Sequence, residues 1–507
     1  MGELVLEANY NYGPADILPI HPSNGTKSLG DHLVLQVNTS NINITDGLVS
    51  REISRTGSKD WQGYEQNEQE AWLPITESRN GNTFSVTFHL LCSGFGMQAL
   101  LLPVAFGTLG WAWGVTCWLL AYVWQLYTIC LLVRLHQPLP GSVRYSRYLQ
   151  LAIAAFGAKL GKLLALFPTM YLSGGTCAVL IITGGGTLKL LFKTMCDGEA
   201  TCLAKSLSGA EWFLVFTCMA ILIAQFPNLN SLTGLSLIGA ITAVLYSTTI
   251  WVLSIYEGKP SGVSYSPPEI ANSDMSKISS ILNALGIIAL AFRGHNLVLE
   301  IQGTLPSSPK HSSHKPMCKG VAVSYLIIAV CQLPLAIAGF WAYGNKVPYN
   351  GGLLTAFSQV HGPNTSKYTM GIIYILFLAN CLCTFQVYAM PAFDNLEARY
   401  TSKKKQRCPR WVRIEIRLFF GGLVFFAAVA FPFLGSLVPL IGGITLPLTL
   451  AYPCFMWLSI KKPRPNGFVW CLNLGLGCFG VVFSVLLAVA AAWTLADKGL
   501  NANFLKP

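Results

Sequence analysis

The fold class this sequence predicts is an all-α polytopic membrane protein, and three observations predict it. The 507 residues are 52% hydrophobic and 11% charged, with a mean hydropathy of +0.49, which is not a soluble globular composition. Apolar runs of spanning length, about 20 residues for a roughly 30 Å hydrocarbon core, recur between about residues 84 and 495. The basic residues behind a formal charge of +12 lie mainly in short connections between those runs. Membrane topology produces that placement, so it argues against nucleic-acid binding.

Residues 1–80 are polar, lack a spanning run and read as a mostly disordered cytoplasmic tail, with residues 71–82 as the approach to the membrane. No basic start precedes an apolar core, so no cleaved signal peptide is expected. Residues 81–507 form the predicted transmembrane domain, with eleven spans. Five are placed at 84–109, 111–134, 163–191, 211–227 and 232–256, which as a first repeat cover about 84–256. Five more, at 279–302, 320–343, 367–392, 412–433 and 435–459, make a second repeat of about 279–459. An extra helix follows at 467–495.

Loop charge sets the orientation. One set of alternate loops carries Arg144, Arg147, Lys159, Lys162, Lys310, Lys315 and Lys319, then a dense group from Arg399 to Arg413 and Lys461, Lys462 and Arg464. The other side has scattered lysines such as Lys193, Lys205, Lys259 and Lys346. This puts the N-terminus in the cytoplasm, the C-terminus outside and the Asn364 sequon outside, where it is open to glycosylation. Cys196 and Cys202 share a predicted loop, where a disulfide is one option. No CxxC pairs with histidines at zinc spacing, so neither metal nor cofactor is expected.

Two spans are interrupted. In the sixth, Ala291, Arg293, Gly294, His295 and Asn296 sit past the middle of an apolar run, where ionisable and amide groups are costly and mark a site by default. In the first, Gly94, Gly96, Met97 and Gln98 precede Pro103, poor material for a continuous helix. If spans one to five and six to ten are repeats, the breaks occupy equivalent positions, the pattern of a transporter binding site. The half-helix after the first break offers free N–H groups and a positive dipole end around Gly96, Met97 and Gln98, suited to a carboxylate. Carbonyls near Ala291 to Arg293 suit an ammonium group. Together they describe a zwitterionic amino acid.

Each residue also has a plainer reading. Gly94 and Gly96 are consistent with close helix packing. His295 either contacts substrate or a proton, since its ordinary pKa is near neutrality, or ties a kink to a carbonyl. Glu300 either carries a proton or pairs with a cytoplasmic base. Arg293 either pairs with a carboxylate in the bundle, reaches water, or meets a substrate carboxylate.

The stretches AFRGHNLVLEIQGTLPSSP (291–309), QFPNLNSLTGLSLIGAITAVLYST (225–248), VYAMPAFDNLEA (387–398) and LLPVAFGTLGWAWG (101–114) resemble plant amino acid permeases of the lysine/histidine transporter-like group, within the amino acid/auxin permease family. The resemblance runs from about residue 70 to the end. It implies eleven helices in a LeuT-like 5+5 inverted repeat, with helices 1 and 6 broken and one helix added. It also implies proton-driven amino acid uptake across the plasma membrane, with the proton as coupling ion, and supports His295 through the family's Gly-His pair.

Two positions depart from the family pattern. The usual Gly-x-Gly of the first break reads Gly96-Met97-Gln98, and the small residue before Gly-His is Arg293. Broad lysine and histidine transport is therefore not carried over, because a cationic Arg293 disfavours basic side chains. The rival readings are a carrier of auxin-like or other carboxylated solutes, and a transport-dead amino acid sensor signalling through its tail. An enzyme is disfavoured, since no nucleophile–base pair lies in the spans.

Overall fold

The computed structural model describes residues 70–138, 143–196, 207–226, 228–266, 274–308, 311–349, 351–431 and 438–498. Among them every regular element is helical, the form in which a spanning segment satisfies its own backbone. The first eight α-helices are α1 (Thr83–Gly94), α2 (Leu102–Leu135), α3 (Tyr148–Phe156), α4 (Ala158–Met195), α5 (Gly209–Ile223), α6 (Thr233–Glu257), α7 (Asp274–Leu290) and α8 (Val298–Gly303). The others are α9 (His314–Tyr343), α10 (Gly352–Val360), α11 (Lys367–Lys404), α12 (Arg410–Ala430), α13 (Val438–Thr445), α14 (Pro447–Leu450), α15 (Tyr452–Lys461) and α16 (Phe468–Lys498). Seven stretches among the described residues are long and apolar enough to cross a membrane.

Local chemistry explains where these elements begin and bend. Asn82 and Ser85 cap α1 reciprocally, at 3.0 and 2.9 Å, and Ser208 with Glu211 does the same for α5. The helical stretch α2 bends at Gly110, whose φ of 75° and ψ of 177° are open to glycine and strained for other residues. A Cβ on Gly114 would lie 2.9 Å from the Phe106 ring. Eight residues of straight helix would separate the two by about 12 Å, so the chain folds back at Gly110. The span expected at 435–459 corresponds to a stretch over 440–461 that is long enough to cross a membrane, divided by short breaks into α13 to α15. Pro447 and Pro453 start the second and third, because proline has no N–H to continue a preceding helix.

The first helix packs closely on three others. It lies against α6, α9 and α11, and small residues let the backbones approach. A Cβ on Gly239 of α6 would fall 2.6 Å from Cys92 Sγ, and one on Gly320 of α9 would overlap Val86. His89 is tied into the same seam through Ser236 Oγ at 2.7 Å. The extra helix α16 packs on α7 and α13.

Residues 70–82, the end of the stretch expected as tail and membrane approach, are folded onto the helices. Leu73 and Ile75 are buried, and the Ile75 N–H donates to Asp394 Oδ1 at 3.3 Å. Arg147 Nε donates to Asp394 Oδ2 at 2.5 Å, Arg413 lies 2.9 Å from Glu397 and 3.3 Å from Glu77, and Arg407 also pairs with Glu77. Alternating charge in this segment, Glu70, Glu77 and Arg79, finds complementary partners, which composition could not show. Residues 1–69 and Cys202 lie outside the described residues, while Cys196 is disulfide-bonded.

Candidate functional site

Both interrupted helices are broken where the sequence places the breaks. Helix α1 ends at Gly94, and Phe95 turns extended at φ −126° and ψ 114°. Helical bonding resumes when the Ala99 N–H donates to Gly96 O at 3.0 Å and the Leu101 N–H to Gln98 O at 3.1 Å. The N–H groups of Gly96, Met97 and Gln98 have no partner among the described residues, as the start of a half-helix requires. Across from them α7 ends at Leu290, Gly294 takes φ 121°, and helix resumes at Val298 as α8.

The two breaks touch, since a Cβ on Gly94 would lie 3.1 Å from the carbonyl oxygen of Arg293. Only glycine admits that approach without displacing main chain. Beside the junction a small cavity is lined by Met97, Gln98, Thr176, Arg293 and Ile441 among others. Its room for the centre of a water-sized sphere is about 20 Å³, enough for a water and too little for an amino acid side chain. Binding a substrate here therefore requires the surrounding helices to move apart.

Arg293 is the charged group of this cavity. Its Nη1–H donates to Thr176 Oγ1 at 3.2 Å, and its guanidinium carbon lies 6.0 Å from the Tyr388 ring centre, within cation–π range. Among the described residues it makes no ion pair, and its Nε is buried without a partner. Of the three readings open in the sequence, an internal carboxylate partner is thus absent among the described residues. Tyr388 is itself fixed, its hydroxyl donating to Ser93 O at 2.9 Å.

His295 is placed differently from Arg293. Its Nε2 lies 3.0 Å from both Gln125 O and Thr128 Oγ1 on α2. A carbonyl only accepts, so Nε2 carries the proton and Nδ1 is the bare nitrogen, with no partner among the described residues. The imidazole does not line the small cavity. Asn296 is buried with Nδ2 unpartnered among the described residues. Ala291 O accepts from Gln332 Nε2 at 2.8 Å, which leaves the Phe292 and Arg293 carbonyls without hydrogen bonds among the described residues.

Glu300 lies in the first turn of α8, buried, with Oε1 accepting from the Tyr148 N–H at 3.3 Å and Oε2 unpartnered among the described residues. It makes no ion pair among the described residues, because Arg147 is committed to Asp394 and Glu70. Sequence reasoning missed Gln125 and Gln332, which hold the carbonyls of Ala289 and Ala291 at the end of the broken helix. An amide inside an apolar run was the available signal, and both residues carry it.

Comparison with known proteins places the chain in a family. The family described as transmembrane amino acid transporter protein matches residues 79–496. The chain is 52% identical over 441 residues to Lysine histidine transporter-like 8 of Arabidopsis thaliana, covering 87% of this chain and 84% of that one. It is 49% identical over 439 residues to Lysine histidine transporter-like 7 of the same plant, covering 86% and 90%. Among solved structures, a Na+-coupled sialic acid symporter in a substrate-bound outward-open state is similar in fold. Its TM-score is 0.51 at 10% identity, over 87% of this chain and 95% of that one. Two broken helices meeting at a small buried cavity thus belong to a multi-pass membrane protein, and the chain is a member of the transmembrane amino acid transporter family.

Proposed function

We propose that this protein is a proton-coupled amino acid symporter that imports its substrate across the plasma membrane by alternating access. One observation carries the reading: Met97 and Gln98, whose N–H groups with that of Gly96 before them are free among the described residues, line a cavity with Arg293, a guanidinium lacking an ion pair among the described residues. A substrate carboxylate satisfies both, and the open carbonyls of Phe292 and Arg293 receive its ammonium group. Arg293 favours neutral or acidic side chains over lysine or histidine. Because the cavity holds little more than a water, substrate enters only when the broken pair swings away from α4 and α13, the motion of an inverted-repeat carrier.

The eleven crossings of this reading arise as follows. The fold-back at Gly110 divides one long stretch into the end of the first crossing and the whole of the second. The interrupted pair α7–α8, with α5 and α12, adds three crossings that are too short, broken or charged to count among the seven. An odd number with basic loops inside puts the N-terminus in the cytoplasm and the C-terminus outside.

Glu300 and His295 are the proton-coupling groups of this proposal, each buried with one polar atom unpartnered among the described residues. Flux into proteoliposomes tests it. Uptake of a labelled neutral amino acid rises several-fold under an inward proton gradient; uptake indifferent to that gradient would sink the coupling. A carrier of carboxylated solutes is the second reading, favoured by Arg293 because a guanidinium needs a carboxylate and no amine. Competition among leucine, glutamate and an indole acid separates the two.

A further inference from the structure

A second basic site lies at the mouth of the bundle on the side of the basic loops. A cavity of about 750 Å³ is lined by Arg407, Arg410, Arg413 and Arg417, with Glu77 as the acidic group in its wall. That size lies within the range of small-molecule sites. Four guanidinium groups against Glu77 in the wall and Glu397 behind it leave the site net positive.

The four arginines are not equally engaged. Arg413 is held by Glu77, Glu397 and the Trp72 carbonyl, and Arg407 pairs with Glu77. Arg417 is 3% exposed, yet its Nε and Nη2 have no hydrogen-bond partner among the described residues. Its guanidinium is positioned by the Phe393 ring, 5.6 Å from the centroid, so it is fixed while its donors stay free. Arg410 makes no ion pair among the described residues and opens α12. That helix has no acidic residue in its first turn and no capping side chain, so its free N–H groups and dipole add to the positive field. Glu397 is the counter-charge of both Arg413 and Arg417, one carboxylate shared by two guanidinium groups, and an oxyanion with several acceptors supplies the bonds that Arg417 lacks.

The depth of the cavity narrows the anion. Trp411 is 78% exposed beside it, the position of an interfacial aromatic anchor. About two to four turns further along α12, Leu418, Phe419, Leu423 and Phe426 are exposed and apolar, a face suited to lipid tails. The guanidinium cluster therefore lies at headgroup level. Anionic lipid headgroups bind basic pockets of this kind, and bidentate guanidinium pairing suits phosphate oxygens.

We propose that the Arg410–Arg417 cavity binds a terminal phosphate group, supplied either by an inositol-phosphate lipid headgroup or by free phosphate. Glu77 occupies part of the same guanidinium set, so the ligand and Glu77 compete for Arg407 and Arg413. Nothing in this site touches the cavity between the broken helices, so its test needs no transport.

The experiment uses the purified full chain in detergent, titrated with fluorescent dioctanoyl phosphatidylinositol 4,5-bisphosphate, with dioctanoyl phosphatidylcholine and with inorganic phosphate. The expected result is saturable binding of the phosphorylated lipid but not of phosphatidylcholine, weakened roughly tenfold or more by Arg410→Gln and by Arg417→Gln. Glu77→Gln strengthens it several-fold. Full competition by inorganic phosphate at equal affinity assigns the site to free phosphate, whereas weaker competition assigns it to the headgroup. If Arg417→Gln fails to fold, exposed Arg410 decides. No saturable binding of either probe, or binding unchanged in Arg410→Gln, overturns the proposal.

Discussion

The Nε2 of His295 and the main-chain oxygen of Gln125 lie 3.0 Å apart, so the break in one helix is pinned to the middle of another. The bond commits one imidazole nitrogen to holding the chain while the other stays bare. His295→Ala is expected to reduce uptake by roughly 10²-fold, the size of effect seen when a site is displaced by about an ångström. Surface abundance in the same cells should be unchanged. Normal uptake with normal abundance would remove His295 from the mechanism.

Arg293 sets which substrates compete. Arg293→Gln is expected to raise KM for neutral and acidic amino acids by roughly tenfold or more, the loss of a charge-assisted hydrogen bond. Lysine and arginine should become better competitors in the same assay. An unchanged competition profile would mean that the guanidinium does not face the substrate.

Glu300→Gln keeps an acceptor for the Tyr148 N–H and removes the titratable oxygen. Substrate exchange at equal pH on both sides should persist, while accumulation driven by an imposed proton gradient should fall to the level of exchange. Gradient-driven accumulation that survives the change would move coupling elsewhere.

The ion pair between Arg147 and Asp394, with side chains 8% and 1% exposed, ties the loop before α3 to α11. Asp394→Ala leaves a buried guanidinium without its main partner and is expected to destabilise the protein by about 3–5 kcal/mol. A lower melting temperature of the detergent-purified protein is the readout. The double change with Arg147→Met should recover part of the loss.

His136, just beyond α2, gives a pH dependence. Burial, and then the Arg144 guanidinium, push its imidazole down to about 3. Arg144 Nε donates to its Nε2 at 3.3 Å, and its Nδ1–H donates to Tyr145 O at 2.9 Å. The folded state keeps the ring neutral, while the unfolded chain protonates it below its ordinary pKa near 6.5. Stability is therefore fully present above that value and is lost as pH falls from about 6.5 towards 3, by a few kcal/mol at most. His136→Gln should flatten that limb in melting temperatures measured between pH 7.5 and 4.5. An acid limb as steep as the parent's would assign it to other groups.

Much of the fold was legible because a bilayer reads composition directly. Apolar runs of fixed length, basic loops and two glycine-marked interruptions are properties of the chain in order, and the breaks at Gly94–Gln98 and Ala291–Leu297 fall inside the stretches they mark. The joint at Gly110 was legible only as a gap between runs, since a single glycine does not announce its φ. Short breaks divide the span at 438–461 into three helices because Pro447 and Pro453 act on hydrogen bonds that hydropathy does not register.

By itself the sequence determined that this chain lives in a membrane, where its helices are interrupted and that an arginine and a histidine sit at one interruption. Only the tertiary structure decided that these two neighbours serve different partners, Arg293 the cavity beside Met97 and Gln98, and His295 the backbone of α2. It also decided that Glu70 and Glu77 anchor a folded segment. The physical reason is that the direction of a side chain at a broken helix depends on φ and ψ through the break and on which helix packs behind it. Burial, charge and hydrogen bonding across 170 positions of sequence settle that together.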